Sequence, residues 1–159
     1  MTTSAPPDRS GVRFPPPLVY AGLFLVGCGI QYLWPEVLIP GDPSWLRPLG
    51  WILIGAGLAF ALTAAVTFQR AGTPVNPYKP VIRIVAHGPF RLTRNPMYVS
   101  LATLFLGGTA LVNSLWLLLL FPPTIVIVTT TIILPEEAYL ERKFGDLYLD
   151  YKKKVRRWL

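Results

Sequence analysis

The chain has 159 residues, 52% of them hydrophobic and only 14% charged, with a mean hydropathy of +0.46. A water-soluble domain carries about 25% charged residues, so too little polar surface is present to cover a soluble particle of this size. The same numbers exclude a disordered chain, and the single cysteine, Cys28, excludes a disulfide scaffold. What remains is a one-domain bilayer protein whose +7 formal charge bears mainly on orientation.

Residues 1–17 are rich in Pro, Ser and Thr and are expected to be a disordered segment before the domain, which occupies 18–159. The first apolar stretch covers 18–34 and ends at Pro35; the second covers 49–68 and carries no charge. Leu25-Val26-Gly27-Cys28 resembles a lipid-attachment box, but the residues after it stay apolar, so Cys28 reads as a small packed side chain. The run from Met97 to Leu134 is too long for one span and fits two, 97–112 and 115–134, turning at Asn113-Ser114. Pro122-Pro123 is expected to kink the fourth helix. Gly55 with Gly57, and Gly107-Gly108, are expected to let helices approach closely. The fold class is therefore all-α, an integral membrane four-helix bundle with a C-terminal amphipathic helix and no Rossmann unit.

Fourteen basic residues fall before span one, between spans two and three, and after span four; only Arg47 falls on the other side. The positive-inside rule then places both termini and the 69–96 loop in the cytoplasm, in a cell inner membrane. The charge thus reads as topology, and nucleic acid is not an expected partner.

The unusual polar chemistry sits in two segments on that basic side. The first runs from Ile82 to Tyr98 and delivers the chain into span three through Gly88-Pro89 and Asn95-Pro96. Pro96 suits the first turn of a helix and Asn95 suits its N-cap, leaving first-turn N–H groups free to meet an acceptor. The second begins with Glu136-Glu137 at the end of span four, where carboxylates are costly unless hydrated or paired. These acids serve either as a helix start favoured by the dipole or as an anchor for a cationic ligand group. Leu140, Phe144, Leu147, Tyr148, Tyr151, Val155 and Trp158 then recur at helical spacing, which predicts one amphipathic helix over 136–158. One His and one Cys cannot make a standard metal site, so no metal is expected.

In order and spacing these segments resemble the integral membrane methyltransferases that include isoprenylcysteine carboxyl methyltransferase and phospholipid N-methyltransferases. The matching residues are Gly88-Pro89-Phe90, Arg94-Asn95-Pro96-Met97-Tyr98, Glu136-Glu137, Leu140, Phe144-Gly145, Tyr148 and Tyr151. Phe90 stands where the family usually has Tyr, and Asn95 where it usually has His. The resemblance implies S-adenosylmethionine as methyl donor, in a cytoplasmic pocket roofed by the C-terminal segment. It implies that Ile82, Arg83, Ile84, Val85, Phe90, Asn95, Pro96, Met97 and Tyr98 line the donor site. It implies that Glu136 holds the donor amino group, and it leaves Arg94 to orient an anionic acceptor or the donor carboxylate. Arg94 and Glu136 are the expected catalytic pair. The acceptor would be lipophilic or small: a prenylcysteine-like carboxylate, a lipid amine or a small thiol. The alternative is a non-catalytic membrane module that binds a lipid or a partner protein on the same scaffold.

Overall fold

The computed structural model describes residues 15–41, 43–73 and 80–159; the expected disorder of the first fourteen residues, and Arg9, Arg13 and Lys79 of the charge pattern, lie outside them. Among the described residues six α-helices follow one another: α1 Pro16–Leu33, α2 Leu46–Arg70, α3 Pro96–Val112, α4 Leu115–Val128, α5 Leu134–Phe144 and α6 Asp146–Lys154, with a short 3-10 turn at Gly88–Arg91 before α3. No strand occurs among the described residues, and α1, α2 and the continuous stretch from α4 through α5 are long and apolar enough to cross a membrane. The 17-residue α3 is the shorter fourth apolar helix.

Local chemistry sets most of the boundaries. α1 starts with Pro16 and Pro17 in its first turn, where a missing N–H costs little, so the first helix begins two residues before the expected span start at 18. It stops at Trp34, the residue before Pro35. α2 ends with Arg70, favourable at a helix C-terminus, and Gly72 follows at φ +66°. α3 ends at Asn113 in the left-handed region, φ 51°, and the Ser114 hydroxyl caps α4 by accepting from Leu117 N. This hairpin is tied to the 34–40 loop. Asn113 accepts from Ile39 N and donates to Ile39 O, both at 3.0 Å, and Ser114 pairs with Gln31.

The helices pack through small residues. Gly50 of α2 meets Gly107 and Leu111 of α3, Gly57 meets Leu104 and the Ser100 carbonyl, and Gly108 receives the ring of Phe24 from α1. Gly55, expected to share in this packing, faces open space. Cys28 packs, half-buried, against the core of Tyr20, Tyr98, Phe105, Leu117 and Val128.

α4 runs through Pro122 and Pro123 and passes into a π turn at Thr129–Ile133, where Leu134 N reaches back to Thr129 O. One sequence expectation is corrected: the C-terminal helix is not one element over 136–158. Gly145, at φ +53°, breaks it into α5 and α6, and an extended tail begins at Val155. Only glycine takes that backbone conformation without a Cβ penalty, so the chain folds back there instead of continuing outward.

Candidate active site at the basic end of the bundle

The π turn fixes how α5 presents its two acids. π turns insert one residue into an α-helix and often lie at functional sites. Three residues past it, Glu136 turns toward α3 and accepts a 2.7 Å hydrogen bond from the Tyr98 hydroxyl. Glu137, about 100° further round the helix, is 4% exposed. It receives Arg157 Nε at 2.9 Å and Nη2 at 2.8 Å, a two-pronged pair, and Arg94 Nη2 at 3.2 Å. The hydrogen bonds to Glu137 hold the Arg157 guanidinium above its ordinary pKa, so it stays charged.

The extended tail is stitched to the loop that precedes α3. Arg94 N donates to Arg156 O at 2.9 Å, while the Thr93 hydroxyl and Asn95 Nδ2 both donate to Arg157 O, at 2.9 and 3.0 Å. Asn95 therefore does not cap α3 with its side chain; that group is spent on the tail, and the Asn95 carbonyl instead accepts from Tyr98 N and Val99 N. From α6 the Tyr151 hydroxyl donates to Phe90 O at 2.7 Å, and burial pushes that phenol up to about 12. Burial, then the Glu137 charge, pushes the Tyr148 phenol up as well. Both phenols are neutral at physiological pH.

These contacts enclose Arg94. Its side chain is 7% exposed, one nitrogen is paired with Glu137, and Nε and Nη1 have no partner among the described residues. Two joined cavities meet at this point. One, of about 250 Å³, is bounded by Phe68, Phe90, Arg94, Asn95, Pro96, Met97, Tyr98 and Glu136, with Pro16 and Pro17 of α1 on its far side. The other, of about 70 Å³, adds Arg83, Ile84, Val85, Glu137, Leu140, Tyr148 and Tyr151. Phe68 and Phe90, with ring centroids 4.4 Å apart, form an apolar wall common to both.

The residues expected at a donor site thus gather around one space, except Ile82, which is 63% exposed and borders neither cavity. Sequence reasoning named Glu137 only as the neighbour of Glu136, without its partners, and missed Arg157, Phe68 and the Pro16-Pro17 pair. Arg157 was hidden in a basic run that resembles headgroup binding. Phe68 and the Pro16-Pro17 pair lie in segments with no polar signal. Only Gly145, which folds α6 over the site, carried a readable one.

Apolar helices bearing a cluster of buried charge at one end define a membrane protein with a polar site at the boundary of its hydrocarbon core. The sequence profile of the phospholipid methyltransferase family matches residues 45–147, well over half of the chain. The chain belongs to that family of membrane methyltransferases. It is also similar to an uncharacterized protein of Haemophilus influenzae, 50% identical over 63 residues, which is 40% of this chain and the whole of that one. No solved structure matches. The family match begins at 45, so α1, which supplies one wall of the larger cavity, lies outside it.

Proposed function

We propose that this protein transfers a methyl group from S-adenosylmethionine to a lipophilic acceptor at the cytoplasmic face of the membrane. The observation that carries the reading is the pairing of Arg94 and Glu136 across one cavity. A buried guanidinium with two unpartnered nitrogens, Nε and Nη1, is costly unless an anion completes it, and a carboxylate on the same cavity suits a cation. A ligand with an ammonium, a carboxylate and an aromatic base meets partners for each in Glu136, Arg94 and the Phe68–Phe90 wall.

Bound there, S-adenosylmethionine supplies a methyl group made electrophilic by its sulfonium. The chain's own residues position and exclude. Tyr98 holds the Glu136 carboxylate in place, and Glu137 and Arg157 hold Arg94. The tail and α6 keep water from the charged groups, which strengthens their hold on a ligand. Arg83, Ile84, Val85, Asn95, Pro96 and Met97 would complete the donor site, while Arg94 holds the donor carboxylate or an anionic acceptor head. A carboxylate or thiolate acceptor needs no base; an amine must arrive neutral. Placing the acceptor beside the methyl group then supplies much of the acceleration.

Purified protein in nanodiscs would be incubated with methyl-labelled donor and extracted membrane lipids, prenylcysteines or small thiols. Label moving into one of these fractions supports the proposal. No transfer to any of them, with donor left intact, contradicts it.

A further inference from the structure

A third space adjoins the site. Between α1 and α3 runs an apolar groove of about 350 Å³, lined by Pro17, Tyr20, Phe24, Leu101, Leu104 and Phe105, with Ala21 and Leu25 on its outer lip. Pro17, Leu101 and Leu104 also line the larger site cavity, so groove and cavity are continuous. Ala21 and Leu25 are exposed, Leu25 at 69%, so the groove opens sideways toward the hydrocarbon. Its one polar atom, the Tyr20 hydroxyl, is spent on the Tyr98 carbonyl at 3.3 Å, leaving only the ring for a ligand.

The groove has an end. The Phe24 ring lies so close to Gly108 that a Cβ there would sit 2.6 Å from two of its atoms, and it meets Phe105 edge to face at 5.3 Å. From Pro17 to Phe24 the helix rises roughly 10 Å. At about 1.25 Å of advance per tetrahedral carbon–carbon bond, this is the length of some eight methylenes.

We propose that this groove is the tail subsite of the methyl acceptor, holding one hydrocarbon chain over about its first eight carbons and ended by Phe24 seated on Gly108. This rests on the reading of the acceptor as lipophilic, and it adds which wall selects it. The polar head lies at Arg94, which borders the cavity into which the groove leads and whose Nε and Nη1 have no partner among the described residues. One chain fits the space, and carbons past Phe24 return to the lipid. Tail selectivity then resides in α1, outside the stretch the family shares.

The full chain in nanodiscs would be irradiated with a dodecanoate carrying a diazirine at carbon 8, or a hexadecanoate carrying it at carbon 14. Labelled residues are read by mass spectrometry. Carbon 8 is expected to mark Phe24, Leu104 or Phe105, and carbon 14 to mark lipid-facing residues without preference. Ala21→Trp, which fills the groove, should remove the carbon 8 marks several-fold. Carbon 8 labelling of Trp51 and Leu58 on the outer face of α2 as strongly as of the groove in the wild-type protein overturns the proposal, whatever the variant does. Calorimetric titration of the same sample with S-adenosylmethionine separates the two readings. Absent donor binding sinks the methyl transfer, whereas donor binding with scattered labels sinks only the tail subsite.

Discussion

Replacing Glu137 by Gln tests the ion cluster behind the site. The wild-type carboxylate is enclosed, with a side chain 5% exposed, and it takes two hydrogen bonds from Arg157 and one ion pair from Arg94. Gln keeps the volume and one acceptor oxygen but presents N–H groups to a guanidinium on its other side. Removing one partner of a buried pair costs about 3–5 kcal/mol, mostly through the charge left behind. The Arg157 side chain is 32% exposed and keeps part of its hydration, so the lower end, about 3 kcal/mol, applies. At about 2–4 °C per kcal/mol for a chain of this size, Glu137→Gln should lower Tm by roughly 6–12 °C. The tail should also come free, and trypsin should cut after Lys154 and Arg156 faster than in wild type. Glu136→Gln loses only part of one Tyr98 hydrogen bond, so its Tm should move by no more than about 2 °C. Differential scanning fluorimetry and timed proteolysis of the two variants read both effects. Equal small shifts, with the tail protected in each, would mean that the Glu137 cluster does not hold the tail.

Three other outcomes follow from the same structure. The Tyr151 phenol is raised by burial from its unfolded value of 10.0 to about 12, so the folded state keeps a proton that the unfolded chain loses. Stability should be flat below pH 9 and fall as pH rises from 10 toward 12. Melting curves across that range should be less steep in pH for Tyr151→Phe, and an unchanged slope would mean that the phenol is solvated. Gly50→Val places a branched side chain 2.9 Å from the Gly107 carbonyl, where α2 or α3 must move, and should cost about 1–3 kcal/mol of stability. A wild-type Tm in that variant would show that the two helices are free to separate. For orientation, Ser44→Cys should react with an impermeant thiol reagent on intact cells and Lys153→Cys should not, both in a Cys28→Ala background. The reverse pattern would invert the topology.

The bundle was legible because apolar runs of span length, with charge only between them, leave the chain few alternatives in a bilayer. The turn at Asn113-Ser114 was legible for a local reason, since asparagine tolerates the left-handed region and serine caps the next helix. The site was legible only as a neighbourhood. The sequence pattern pointed to Glu136 and Arg94, but not to what holds them. The π turn that phases α5 lies in Thr129–Ile133, a β-branched run of threonine and isoleucine with no visible breaker. The partner of Glu137 stands 20 residues further on, across a reversal that depends on the φ of Gly145. The helical periodicity through Val155 and Trp158 misled, because Trp158 does pack on the core, but from an extended tail that begins at Val155. Asn95 before Pro96 has the form of an N-cap, and a long-range carbonyl took its side chain instead.

We propose that Glu136 faces the ammonium of a bound methyl donor. Titrating S-adenosylmethionine by calorimetry into the wild-type protein and Glu136→Gln tests it directly. A hydrogen bond to a charged group contributes about 1.5–3 kcal/mol, and 1.4 kcal/mol is a factor of ten in affinity. Wild type should bind saturably, and Glu136→Gln should bind about one to two orders of magnitude more weakly at nearly unchanged Tm. Absence of saturable binding at millimolar donor, or equal affinity in the two proteins, would contradict the assignment.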